Sequence, residues 1–167
     1  MMDQIRERYA ISIATYFPDA SAVEGLEMER GSFSFRRSVK ERKGCCHIRK
    51  VEPLLRALAP LCAWVTGLRR EQAPTRTGVA VVEWDATHGL VKVNPLAHWT
   101  ETQVWAYIWG HDVSYSALHG RGYPSIGCAP CTRRIQPGED IRAGCWWWKN
   151  QEHKECGLHV EDNGGKA

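Results

Sequence analysis

Four cysteines in two pairs, Cys45-Cys46 and Cys128-Ala129-Pro130-Cys131, are the residues of this chain best suited to inorganic chemistry. Four thiolates can hold either a tetrahedral metal ion or an iron–sulfur cluster. Gly127, Pro130 and nearby Ser125 mark the second pair as part of a turn, so simple burial explains these thiols poorly. Two adjacent side chains diverge, which makes a single ion awkward for Cys45 and Cys46. A cluster offers a separate iron to each sulfur, and the pattern therefore leans toward iron–sulfur over zinc. Cys62 lies in an apolar run and reads as a buried core thiol without a role. Cys156, in Lys154-Glu155-Cys156-Gly157-Leu158-His159, reads either as a free surface thiol or as a nucleophile whose thiolate a nearby Lys or His favours.

The chain has 167 residues, enough for one domain with its own core, and is 43% hydrophobic and 25% charged. The net charge of +3 is mild. Basic residues are scattered over 36–50, 69–76 and 133–134, which suits a small anion and not a nucleic-acid backbone. No run approaches the roughly 18 apolar residues of a membrane span. The charged opening has no apolar signal segment. Seven cysteines is an odd count and makes a poor disulfide scaffold. A cytoplasmic protein is expected.

The elements that must position the cysteines follow from periodicity. Residues 2–9 read as a helix end and 11–17 alternate like a strand. Ser21 and Glu24 form a capping box for a helix over 22–30. Residues 32–43 read as a short helix or loop. Val51, Leu54, Leu55 and Leu58 give 45–59 a helical pattern that Pro53 interrupts, so the helix proper starts near Glu52. Residues 61–66 read as a buried strand, 79–84 as a second, and 90–93 as its partner. Thr100 and Gln103 cap a helix through Trp109 that Gly110 ends. Residues 161–167 read as disordered.

Several of these stretches resemble the assimilatory adenylyl-sulfate (APS) reductases, within the phosphoadenylyl-sulfate reductase family. The resemblance rests on Cys45-Cys46-His47-Ile48-Arg49-Lys50-Val51-Glu52-Pro53-Leu54 and on Trp64-Val65-Thr66-Gly67-Leu68-Arg69-Arg70-Glu71-Gln72. It continues in Gly122-Tyr123-Pro124-Ser125-Ile126-Gly127-Cys128-Ala129-Pro130-Cys131-Thr132, and in Trp146-Trp147-Trp148 followed by Glu155-Cys156-Gly157-Leu158-His159. The resemblance implies an α/β, Rossmann-like adenine nucleotide α-hydrolase-like fold, lacking the first strands, with a flexible C-terminal tail. It divides the chain into a partial reductase domain with the cluster site, 1–145, and a tail carrying the nucleophilic cysteine, 146–167. It implies a 4Fe–4S cluster on Cys45, Cys46, Cys128 and Cys131. Relatives without these pairs typically use the 3′-phosphorylated nucleotide, so the cluster cysteines point to adenosine 5′-phosphosulfate.

The implied reaction belongs to assimilatory sulfate reduction and cysteine biosynthesis. The Cys156 thiolate attacks the sulfate sulfur, AMP leaves, and thioredoxin or a similar dithiol releases sulfite from the S-sulfocysteine. Lys50, Arg76 and Arg142 match the family's substrate-contact positions, and Lys50 follows Cys46 by one helical turn. Arg69 leaves a strand toward the presumed ligand edge, and His159 is suited to hydrogen-bond the sulfate or tune Cys156. The implied partners are APS and the dithiol donor, with a homo-oligomer allowed and no nucleic acid or membrane. The tryptophan triplet reads as an anchor for the tail.

The chain departs from the family pattern in two ways. Cys145 stands where relatives usually carry Arg, which removes a cation and adds a thiol that could form a disulfide or compete with Cys156. No Ser-Gly-Gly-x-Asp-Ser type phosphate loop occurs, as though the family's earlier nucleotide-binding region preceded Met1. An open sheet edge with exposed apolar surface is then expected. The alternatives are an inactive or partner-dependent fragment that binds a metal or cluster, and a reductase that also accepts 3′-phosphoadenosine 5′-phosphosulfate.

Overall fold

The computed structural model describes residues 1–148 and divides the chain into two compact units. Among those residues, the first unit holds 1–13, 18–51 and 115–148, and the second holds 14–17 and 52–114.

The first unit is built from short helices and turns. Helix α1, Met2–Tyr9, ends at Ala10, whose φ of 50° is left-handed. The alternating stretch 11–17 forms no strand. Alternation alone does not make a strand without a neighbour to pair with, and Phe17 stays 72% exposed. Helix α2, Ala20–Arg30, is capped by Asp19 and not by Ser21, because the Asp19 carboxylate accepts the Ala22 amide at 2.9 Å. The Ser21 hydroxyl is spent on that same carboxylate.

Helix α3, Val39–Cys46, starts at Ser38, whose hydroxyl accepts the Glu41 amide at 3.1 Å. It runs directly into a π-helical turn, His47–Val51. Pro53 lacks an amide hydrogen, and in an unbroken α-helix its ring would crowd the Arg49 carbonyl. The π turn absorbs this, a common device near functional sites. Helix α4, Glu52–Leu58, which belongs to the second unit, begins with Pro53 in its first turn, as the sequence indicates.

The second unit carries the sheet. Strands β1 (Ala63–Val65), β2 (Val82–Asp85) and β3 (Leu90–Val93) are ordered β1-β3-β2. β1 runs parallel to β3 with Ala63 opposite Val91, and β2 runs antiparallel to β3 with Val82 opposite Val93. The expected buried strand over 61–66 is thus shorter and lies at a sheet edge. Val65 is 70% exposed, and Cys62 precedes the strand as an exposed thiol, not a core one. Asn94, fully buried, locks the end of β3 by donating to the Ala80 carbonyl at 2.8 Å and to Glu83 at 3.1 Å. It also meets the Thr66 hydroxyl just beyond β1. Helix α5, Glu101–Gly110, has the expected reciprocal cap between Thr100 and Gln103, and its C-cap is His111, one residue past Gly110. None of its residues is buried. Among the described residues no helix is long and apolar enough to cross a membrane.

Candidate metal centre

The first wall of the site is the end of α3 and the π turn. Cys45 and Cys46 are the last two residues of α3, and Arg49 and Lys50 follow them by four residues on the π turn. Arg49 forms an ion pair with Glu27 of α2, which fixes this wall to its neighbour. A hydrogen bond from Ser32, against a smaller burial effect and together with Arg49, holds the Glu27 carboxyl below the ordinary carboxylate range.

The second wall is a turn. The Cys131 amide donates to the Cys128 carbonyl at 2.8 Å, closing a 3-10 turn over Ala129–Cys131. Thr132 works in both directions: its hydroxyl accepts the Gly127 amide at 3.0 Å and donates to the Cys128 carbonyl at 3.0 Å. A β-bridge then joins Thr132 to Cys145. The chains approach so closely there that a Cβ on Gly144 would sit 2.3 Å from the Arg133 carbonyl oxygen. Only glycine fits such an approach. The Trp146 amide donates to the Cys131 carbonyl at 2.9 Å, and Trp146 holds φ at 43°, a left-handed value that few non-glycine residues adopt.

The two walls meet around one cavity of about 320 Å³, lined by all four cysteines together with Lys50. Pairs some eighty residues apart in the chain therefore face the same space. Ser32, Arg42, Arg49 and Trp146 complete the polar part of the lining. Burial pushes the Cys131 thiol up to about 11, reinforced by Cys128 and Cys45 and opposed by Lys50 and a hydrogen bond from Trp146. Cys45 is also raised, mainly by burial, with Arg49 opposing and Cys128 reinforcing. Thiols that repel one another's negative charge lose their protons readily once a cation is placed among them. The four line a volume, and among the described residues no three Cys, His, Asp or Glu side chains are grouped for a single ion. Four thiols are donors of the kind that soft metal centres take.

Other expected residues fall elsewhere. Arg142 is half-buried on a turn, where its amide donates to Asp140 at 2.8 Å, and does not line the cavity. Arg69 and Arg76 belong to the second unit. The Arg69 side chain, 12% exposed, reaches Glu71 and the Trp99 carbonyl, both at 3.3 Å. Arg76 donates to Gln72 at 2.6 Å. Cys156 and His159 lie outside the described residues, as does the stretch 161–167. Cys145 is a free, buried thiol held 3.3 Å from the Ser125 hydroxyl, so it forms no disulfide with any described cysteine. Trp146 is buried and Trp148 packs 6.0 Å from the Phe35 ring, whereas Trp147 is exposed. Sequence reasoning missed Arg42 and Arg49. Their signal was present as helical spacing: Arg42 precedes Cys45 by three residues and Cys46 by four, and Arg49 follows Cys45 by four.

The phosphoadenosine phosphosulfate reductase domain matches residues 1–134. The chain belongs to that family. Relatives of the family include the adenosine 5′-phosphosulfate reductase of Burkholderia cepacia, 56% identical over 160 residues and covering 96% of this chain and 64% of its own length. That of Allochromatium vinosum is 53% identical, covering 95% and 62% respectively. That of Rhizobium tropici is 45% identical, covering 100% and 93%. The chain thus spans somewhat under two thirds of the first two relatives, and nearly all of the third. Among solved structures, a family member from Candida auris, a phosphoadenylyl-sulfate reductase in complex with phosphate, superposes with a TM-score of 0.62 at 30% identity, over 77% of this chain and 61% of that one. The FMN adenylyltransferase of Candida glabrata, at 15% identity and a TM-score of 0.50 over 96% and 52%, shares the fold alone. The α/β fold of the adenine nucleotide α-hydrolase type, expected from the family's motifs, is borne out.

Proposed function

We propose that this chain reduces adenosine 5′-phosphosulfate to sulfite and AMP, using a dithiol such as thioredoxin, in the cytoplasm. One observation carries the reading: two distant cysteine pairs and Lys50 line one cavity in a chain of this family. Cys45, Cys46, Cys128 and Cys131 would hold a 4Fe–4S cluster. Bound there, the cluster would join the helix end to the turn and contribute charge beside the substrate.

The remaining chemistry belongs to the chain. Lys50 offers a fixed ammonium to an anionic substrate, offsetting the repulsion an attacking thiolate would meet. Arg69, Arg76, Arg142 and His159 are proposed to bind phosphate and sulfate oxygens. The Cys156 thiolate, on the tail 146–167, attacks the sulfur of the substrate. The bond from sulfur to the phosphate oxygen breaks, and AMP leaves with its electron pair. Cys156 then carries an S-sulfonate. A donor thiolate attacks Cys156 Sγ and sulfite leaves with the bonding electrons. The donor's second thiol closes a disulfide and returns Cys156, so the dithiol supplies both electrons.

The test is incubation with radiolabelled adenosine 5′-phosphosulfate, in parallel with its 3′-phosphorylated form. The expected result is label on the Cys156 peptide, none in C156S, and release as sulfite when thioredoxin is added. The 30% identity to a solved phosphoadenylyl-sulfate reductase is the reason for the parallel arm. C45S and C131S should each lose iron and sulfide. A chain that carries a full cluster, binds the nucleotide and never acquires label is the partner-dependent fragment.

A further inference from the structure

Arg42 is the most deeply buried charge in the wall of the cavity, with only 2% of the residue exposed. It shares a face of α3 with Cys45 and Cys46 by helical spacing, and its side chain lines the cavity with them. Its guanidinium carbon stands 4.3 Å from the centre of the Trp146 ring. A cation over an indole face is held electrostatically. Arginine does not shed its proton to escape burial, as lysine can. A permanent positive charge therefore sits in a low-dielectric wall, where charges act strongly on one another.

We propose that Arg42 is the built-in counter-charge of the sulfur-ligated group, a positioning residue that offsets the negative charge of four thiolates. Through Trp146, whose amide bonds the Cys131 carbonyl, the same residue steadies the turn that carries the second cysteine pair. The division of labour among the cations then becomes clear. Arg49 is paired with Glu27, Lys50 is the cation offered to substrate, and Arg42 is committed to the inorganic group. The inference rests on the cluster reading above.

A fixed cation near a cluster favours its reduced, more negative state. R42M, R42K and the unaltered chain are compared for iron and sulfide content and for midpoint potential. The expected result is a shift of R42M to more negative potential, or its failure to keep the cluster while still folded, with R42K retaining a cluster near the original potential. Equal potentials in all three variants overturn the proposal, as do equal shifts or equal cluster loss in R42M and R42K, which would mark a packing role. If R42M does not fold, R42K decides alone, and a displaced potential there counts against the proposal. A colourless, iron-free unaltered chain instead overturns the cluster reading and this inference with it.

Discussion

Cys45 and Cys46 ride on a regular helix, whereas Cys128 and Cys131 sit on a turn that owes its shape to a few named hydrogen bonds. The helix is fixed by a cap at Ser38 and by periodic backbone bonding, and the π turn that follows it by the ion pair of Arg49 with Glu27. The turn is fixed by Thr132, by the Cys131 amide, and by the close passage of Gly144 under Arg133. Regular structure spreads its stability over many interchangeable bonds. An irregular loop concentrates it in a few groups, each hard to replace. The same kind of substitution should therefore cost far more in one wall than in the other.

Glycine to alanine tests this most directly. G144A drives a methyl group to within 2.3 Å of a backbone oxygen, so the bridge must open. A loss of about 3 kcal/mol is expected in denaturant unfolding, by the mechanisms that produce large single-site effects. Cluster retention should fall with it. Next comes thiol reactivity in the metal-free chain. With Cys131 pushed up to about 11, its thiolate fraction at neutral pH is roughly 100-fold below that of an ordinary thiol. Greater intrinsic nucleophilicity returns part of this, leaving iodoacetamide alkylation slower by about 10-fold. Its rate should climb with pH until it passes the raised value. Peptide mapping against exposed Cys62 measures both.

Smaller effects sharpen the contrast. T132V removes two hydrogen bonds from the turn, for about 2 kcal/mol. S38A removes the helix cap, for about 1 kcal/mol. The comparison breaks if S38A costs more than T132V in thermal unfolding. Smallest of all is G44A in α3, where a new Cβ meets only the flexible end of Arg30 at 3.5 Å. It should stabilise the protein by about 0.5–1 kcal/mol.

The two walls also differed in how much the sequence revealed. Helical spacing put Lys50 beside Cys46, and Pro53 marked where the helix had to restart. The same spacing would have revealed Arg42 and Arg49 had it been applied backward and to Cys45. The Cys-x-x-Cys turn was visible as a local motif, but its contact with Gly144 and Trp146 was not. A single bridge between residues 132 and 145 leaves no periodic trace in sequence. Two other expectations failed for a related reason. The alternation in 11–17 was correct as a pattern, yet a strand also needs a neighbour. The apolar run at 61–66 was expected to be buried, yet edge position in a three-stranded sheet leaves Val65 and Cys62 open. Burial and pairing are properties of partners, which a local window does not contain. At α2, Asp19 and Ser21 are both good caps, and only the geometry of the Ala22 amide chose between them.

The π turn at His47–Val51 limits how far this stretch can change in length. Each residue removed from a helix rotates everything beyond it by about 100°. Deleting Ile48 alone would leave Arg49 and Lys50 three residues after Cys45 and Cys46, still neighbours on one face. Deleting His47 and Ile48 together would leave them two residues after, on another side, and the ammonium would no longer look at the sulfur.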